Sequence, residues 1–464
     1  MRPSIEAASL GVTAAAKSRL TSATGDASRS IAACISHILM VLLLLLAGWA
    51  AASATPESLE SVVAIGDVHG DFDDFVALLQ HIDLIDKQNH WAGGKTTLVQ
   101  VGDLLDRGPK PREVMDLLMA LEKEASKDGG RVVPLLGNHE MMNIMGDLRY
   151  VTPQNYASFA DAKSEERRNS AYKDYIKWRG SHTALVAELS QPLELTEAEW
   201  MARHPAGFVE QREAFSAKGS YGKWVRGHAA VAEIDGLIFL HGGISPGVAS
   251  MKLDAINSAI RDEITAFDGY KQYMLDEGLI LPFFNLQEIA AVATAEITAA
   301  KKSRVLSNPA LEARLLQFLQ FPNWLSVRVD GPLWFRGYDQ WNEEEGNSQV
   351  EKILRSFKAN HLVVGHTVQK EGHIRSRFGG KIFLIDTGML SSYYPGGRAS
   401  ALEIQNNVKF TAEYMDQEVV LLEPAKVSLL TGSSEEPRRV GSTEWILTDF
   451  PSPSAPAPAS AVTR

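Results

Sequence analysis

The sequence predicts an α/β fold with parallel strands and right-handed crossovers. Short apolar, β-branched runs alternate with segments of helical periodicity. Each run ends in a glycine-flanked cluster of Asp, His or Asn. In a parallel sheet, such clusters collect at the carboxyl ends of the strands, where ligands bind.

The elements follow in order. Ser61–Gly66 (SVVAIG) reads as the first strand and runs into Asp67. Phe75–Leu84 has helical periodicity, with Asp71 before it as the capping residue. Thr97–Val101 (TLVQV) is the second strand and meets Gly102-Asp103. Pro111–Lys123 is a helix with proline in its first turn. Arg131–Leu136 (RVVPLL) is the third strand, ending in Gly137-Asn138-His139-Glu140. Residues 144–235 break the rhythm. They are rich in Glu, Lys, Arg, Ala and Tyr and read as a helical insertion, or cap, near the site. A second strand series begins at Leu237–Leu240 (LIFL) and meets His241-Gly242-Gly243. Residues 251–320 are again helical in pattern. His361–Val364 and Lys381–Ile385 are further strands, ending in Gly365-His366-Thr367 and Asp386-Thr387-Gly388. The run Glu343-Glu344-Glu345 reads as a solvated loop. One globular domain is expected over residues 55–435. Residues 436–464 are expected to be a Pro/Ala-rich tail that cannot bury a core.

Composition narrows the function. The chain has 464 residues, 45% hydrophobic and 22% charged, which excludes wholesale disorder, collagen and a multi-span membrane protein. A net charge of −11 argues against a non-specific nucleic-acid binder. A single cysteine, Cys34, excludes an intramolecular disulfide and a cysteine-rich zinc site. Any metal must therefore be held by His, Asp, Glu and Asn.

The N-terminus reads as a targeting segment. The unbroken apolar run Ile38–Ala52 is 15 residues, short of the roughly 20 that a spanning helix needs. Arg29 precedes it, and Ala52-Ser53-Ala54 has the small-x-small form of a cleavage site. Export to a periplasm or the exterior is the first reading, with residues 1–54 removed. Residues 31–54 could instead serve as an uncleaved membrane anchor with the catalytic domain outside. An organellar transit peptide is the third reading. Removal would leave 42 basic and 55 acidic side chains, a balance of −13, and no cysteine.

The polar clusters form a chemical inventory. Asp67 and His69 lie in GDVHGD, and Asp103, Asp106 and Arg107 in GDLLDRG. Asn138 and His139 lie in GNHE, while His241 and His366 stand beside glycines. Carboxylate, imidazole and amide ligands suit borderline to hard divalent metals such as Mn, Fe or Zn. Two such ions held together, beside an arginine able to grip phosphoryl oxygens, are the parts of a phosphoester hydrolase.

In this order, the GDxHG, GDxxDRG, GNHE and HGG blocks resemble the phosphoprotein phosphatase branch of the calcineurin-like metallophosphoesterases. Gly146-Asp147-Leu148-Arg149-Tyr150, Gly331-Pro332-Leu333-Trp334-Phe335-Arg336-Gly337 and Gly365-His366-Thr367 resemble the Shewanella-like protein phosphatases. The resemblance implies a four-layer α/β/β/α sandwich with helical insertions. It implies two divalent metals, one held by Asp67 and His69 and the other by Asn138, His241 and His366, with Asp103 bridging. His139 would be the general acid, oriented by Asp106. Arg107, Arg336 and the Asn138 amide would hold the phosphate. A metal-bridging hydroxide would attack in line, without a covalent enzyme intermediate. Apart from the resemblance, Glu140 reads as orienting a neighbour, and Arg149 and Arg226 read as structural ion-pair partners outside the site. Unlike eukaryotic members, which carry a Ser-Ala-Pro-Asn-Tyr block, this chain reads Leu384-Ile385-Asp386-Thr387-Gly388-Met389 there.

The implied substrate is a phosphorylated protein, on serine, threonine or tyrosine, or a small phosphoester. Two alternatives stay open: a nucleotide or dinucleoside-polyphosphate hydrolase, and a metal-binding scaffold without turnover.

Overall fold

The computed structural model describes residues 61–189, 195–303 and 308–424. The expected targeting segment, 1–54, and the tail, 436–464, lie outside the described residues. Among the described residues, no helix is long and apolar enough to cross a membrane.

Two mixed sheets form the centre. The first has strand order β11-β10-β9-β1-β2-β3. Its strands are β1 (Ser61–Ile65), β2 (Thr97–Gln100), β3 (Arg131–Pro134), β9 (Ser400–Gln405), β10 (Lys409–Tyr414) and β11 (Glu418–Leu422). The second has order β4-β5-β6-β8-β7. It contains β4 (Val231–Ile234), β5 (Leu237–Leu240), β6 (His361–Val364), β7 (Arg375–Arg377) and β8 (Ile382–Leu384). The pairs β1–β2, β2–β3, β5–β6 and β6–β8 are parallel, as the alternating pattern predicts.

The strand period of two sorts the side chains into layers. Val62, Ala64, Val99, Phe239, Val363, Phe383, Leu402, Ile404 and Phe410 form one buried cluster between the sheets. The Phe383 and Phe410 rings stack there at 4.5 Å. The alternate residues Val63, Ile65, Leu98, Ile238, Leu240, Leu362, Val364 and Leu384 join the helices in a second cluster. Helices on both outer faces complete the four-layer α/β/β/α arrangement.

The first helices hold the loops that carry the polar clusters. Helix α1 (Phe72–His81) buries Phe75, Leu78 and Leu79 at helical spacing, and the Asp71 carboxylate accepts the Asp74 N–H. It starts three residues before the predicted Phe75, because the cap sets its start. Its predicted end, Leu84, lies beyond the helix, beside an Ile85–Trp91 bridge. Helix α2 (Pro111–Ala125) has proline at its start and buries Val114, Met115, Leu118 and Leu121. Helix α3 (Asn138–Met145) is buried along its whole length and ends at Gly146, whose φ is +82°.

The insertion is helical: α4 (Pro153–Phe159), α5 (Ser164–Ser181), α6 (Thr183–Val186), α7 (Glu197–Arg203), α8 (Phe208–Ala214) and α9 (Ser220–Arg226). Its predicted end at 235 is corrected, because β4 already pairs antiparallel with β5 across Asp235-Gly236. Both turn residues have positive φ, the geometry of a tight hairpin. Helices α10 (Leu253–Asp276), α11 (Leu286–Ser303) and α12 (Pro309–Phe318) fill 251–320 as expected. A short helix, α13 (Gly337–Gln340), follows.

The acidic run is not a loop. Glu343, Glu344 and Glu345 form the first turn of α14 (Glu343–Phe357), where negative charge favours the helix dipole. Asn342 caps it, and Glu343 pairs with the nearly buried Arg377.

Candidate metal centre

Every cluster sits at a strand's carboxyl end, and each loop turns sharply to aim its side chains inward. His69, Asp103, Asp106, Arg107 and His366 all have φ between +49° and +68°. Non-glycine residues rarely adopt this region, and five together mark a site whose surroundings impose the geometry. Gly365 is required by closeness: a Cβ there would lie 2.5 Å from Asp67 Oδ1.

Asp67, His69, Asp103, Asn138, His139, His241 and His366 are all buried, at 5% exposure or less. Two groups of donors emerge: Asp103 with His241 and His366, and Asp103 with His69 and His139. In each group the ligand atoms lie within 4.8 Å of one another. Asp103 is common to both, which is what a carboxylate bridging two ions requires.

The imidazoles are oriented from behind. His69 Nδ1 donates to Leu105 O at 2.8 Å, His241 Nδ1 to Val101 O at 3.1 Å, and His366 Nε2 to Trp334 O at 3.2 Å. Each ring therefore turns its unprotonated nitrogen into the site, as metal-ligating histidines do. His241 Nε2 consequently faces only acceptors. Asn138 Oδ1 is 2.8 Å away, His366 Nδ1 3.1 Å and Asp103 Oδ2 3.2 Å. Lone pairs converging at such distances repel unless a proton on Nε2 or a metal cation lies among them. The spacing suits atoms each about 2 Å from one ion. These residues fit a divalent metal.

The other half of the site differs from expectation in detail. Asp67 lies outside the His69–Asp103–His139 group, although its Oδ2 is 3.6 Å from His69 Nε2. Burial first, then the charges of Asp386 and Asp103, hold Asp67 well above the usual carboxylate range. Burial also opposes ionisation of Asp103, but the His241 and His139 imidazoles outweigh it and hold Asp103 well below that range.

His139 has both nitrogens engaged. Its Nδ1 donates to Asp106 Oδ2 at 2.6 Å, and its Nε2 lies 3.0 Å from Arg107 Nη2. Burial disfavours its cation, yet the Asp103 and Asp106 carboxylates overcome that and raise its pKa. An imidazole whose pKa is raised by a fixing carboxylate is the arrangement of a general acid, once Nε2, which here accepts from the Arg107 guanidinium, takes up the proton.

Arg107 joins the site, and Nη1 reaches both His69 Nε2 and the Tyr394 hydroxyl. A metal bound by His69 would require Arg107 to give up that contact. Its guanidinium carbon lies 5.2–5.4 Å from the Tyr150, Tyr393 and Tyr394 ring centres. Arg336 is exposed at the rim, where Nη1 donates to His366 O at 2.8 Å. Arg149 and Arg226 pair with Asp147 and Asp268, as expected of structural partners.

Three contributors were given no site role from the sequence: Asp386, although its strand-end cluster was read, Asn143, and the Tyr393-Tyr394 pair. Asp386 is buried at the end of β8, and burial raises its pKa to about 6. It had the same signal as the others, a carboxylate closing a strand before glycine. Asn143 and the tyrosines carried no such signal.

Comparison with known proteins places this geometry. The calcineurin-like phosphoesterase family model matches residues 61–370. The chain belongs to that family. It is 25% identical over 331 residues to Shewanella-like protein phosphatase 1 of Plasmodium berghei, covering 71% of this chain and 67% of that one. It is 33% identical over 221 residues to Shewanella-like protein phosphatase 2 of Arabidopsis thaliana, covering 46% and 54%. The crystal structure of a cold-active protein-tyrosine phosphatase from a psychrophilic Shewanella superposes with a TM-score of 0.50 at 25% identity, over 78% of this chain and 81% of that one. The phosphoesterase fold thus carries buried His/Asp clusters consistent with the dinuclear centre of metallophosphoesterases.

Proposed function

We propose that this protein is a dinuclear-metal phosphomonoesterase that removes phosphate from phosphorylated proteins, on serine/threonine or on tyrosine. The observation that carries this reading is the position of Asp103 Oδ2, 3.2 Å from His241 Nε2 on one side, 3.7 Å from His69 Nε2 on the other, and 3.8 Å from His139 Nε2 of the His139–Asp106 pair. Asn138, His241 and His366 would hold one divalent ion and Asp67 and His69 the other, with Asp103 available to both. Mn, Fe and Zn all suit these donors. Bound ions supply Lewis acidity and a water of lowered pKa. His139 delivers the proton to the departing oxygen, and Asp106 keeps its Nδ1–H pointed away from the substrate. Arg107, Arg336 and the Asn138 amide orient the phosphate. The relatives named as protein phosphatases support this substrate class.

The test is turnover of phosphoserine, phosphothreonine and phosphotyrosine peptides by the protein with Mn²⁺, with Asp103→Asn and His139→Asn as controls. Both variants should lose at least about 100-fold in kcat. Near wild-type rates in either would sink the mechanism. A bis(5'-nucleosyl)-tetraphosphatase of Cronobacter sakazakii is 38% identical, but over only 81 residues. Faster cleavage of dinucleoside polyphosphates than of any peptide would move the assignment there. Bound metal without any turnover would indicate a scaffold. We also propose export through residues 31–54; the mass of the mature N-terminus distinguishes cleavage after Ala54 from retention as an anchor.

A further inference from the structure

The helical insertion reaches into the acid–base pair through Gln211. This residue lies on α8, is 2% exposed, and is 68 residues from its partner in sequence. Gln211 Nε2 donates to Asn143 Oδ1 at 2.8 Å. Asn143 Nδ2 donates to Asp106 Oδ1 at 2.9 Å, and Asp106 Oδ2 accepts from His139 Nδ1 at 2.6 Å. The four side chains form one buried line from the insertion to the imidazole.

Its polarity is fixed from one end. An ionised carboxylate only accepts, so Asn143 must present its NH₂ to Asp106. The Asn143 carbonyl oxygen then faces Gln211, and Gln211 must present its own NH₂. The neighbouring Arg212 strengthens the clamp: its Nη1 donates to Asn143 O at 3.1 Å, near the carboxyl end of α3. Asn138 and His139 stand on that same helix.

We propose that Gln211 is a positioning residue for proton delivery. By fixing the Asn143 amide, it keeps one Asp106 oxygen occupied and leaves the other to hold His139. The inserted helices thereby complete the acid–base apparatus. This inference rests on the reading of His139 as general acid.

The test uses leaving groups of graded basicity. A p-nitrophenolate departs with little need of a proton, whereas phenolate and more basic oxygens need one. Gln211→Glu keeps the size but puts an acceptor opposite the Asn143 oxygen, and Gln211→Met removes the donor without adding charge. Both should lose about tenfold in kcat on phenyl phosphate and clearly less on p-nitrophenyl phosphate. KM should move little, and circular dichroism should stay native. If Gln211→Glu does not fold, Gln211→Met decides. Equal losses on all substrates, or no loss, would overturn the proposal. His139→Asn is run in parallel. If it too lacks dependence on the leaving group, the acid assignment fails, and the relay is rejected with it. Wild-type protein inert toward every aryl phosphate would instead refute the phosphomonoesterase reading itself.

Discussion

The Glu140 carboxylate accepts the backbone N–H of Asp103 at 2.7 Å, within the turn that presents the carboxylate common to both donor groups. The same carboxylate takes the N–H groups of Leu104 and Gly137 at 2.9 and 2.8 Å. Glu140 therefore fastens the GDLLDRG loop to the GNHE loop and offsets the cost of holding Asp103 at φ +60°.

Glu140→Gln should break this fastening. One amide end would point a donor at backbone donors, leaving buried N–H groups unpaired at a cost of about 1–3 kcal/mol. The melting temperature should fall, and metal affinity should fall with it, because Asp103 loses its rigid backing. Thermal melts and metal titration check both. Unchanged values in the two would show that the fastening is dispensable.

His228 offers a pH test away from the metals. It is buried, neither ring nitrogen has a hydrogen-bond partner among the described residues, and burial lowers its pKa to about 3. The sign follows from linkage. Above pH 6.5 both folded and unfolded states hold it neutral. Below that the unfolded chain takes up a proton that the folded chain refuses, so stability falls toward pH 3. At pH 5 the loss from this residue is about 2 kcal/mol. Denaturant melts of His228→Leu at pH 5 and pH 7.5 should show a difference smaller by that amount. An unaltered acid slope would refute the account.

Much of this was legible in the sequence because strand ends and ligand loops are local. A β-branched run, a glycine and a polar cluster suffice to place Asp67, Asp103, Asn138, His241 and His366. Asp386 had the same local form and could have been read the same way. The two hairpins that turn at Asp235-Gly236 and Asn406-Asn407 were not read: the first strand of one fell within the expected helical insertion, and no strand was expected beyond Ile385. Tyr394 and Gln211 could not be read. Tyr394 reaches Arg107 across 287 positions, and Gln211 meets Asn143 across 68, through packing that no short pattern encodes.

Arg107 is held by contacts that a lysine cannot copy. Apart from the His69 contact that a bound metal would displace, its fork reaches His139 and Tyr394, while three tyrosine rings surround it. A lysine offers one point charge and no planar face. Arg107→Lys should lower kcat/KM by about 100-fold, with the folded state retained. Steady-state kinetics with an aryl phosphate measures it. A loss under threefold would remove Arg107 from the phosphate site.

Metal removal should destabilise the fold as well as stop turnover. Asp67, Asp103 and Asp386 converge at 1–4% exposure, and each carboxylate's charge bears on its neighbours. The inward lone pairs of His241, His366 and Asn138 add to the crowding of negative potential. A bound cation relieves both, so binding is favoured in the folded chain and absent from the unfolded one. With metal at about 1,000 times its Kd, the gain is about 4 kcal/mol per site. Adding a chelator should therefore lower the melting temperature by several degrees, and restoring Mn²⁺ should recover it. Asp103→Asn removes the shared ligand and one buried charge together. That variant should melt closer to the wild type without metal and should gain little from Mn²⁺. An equal Mn²⁺-induced shift in wild type and variant would mean that the stabilising ion binds elsewhere.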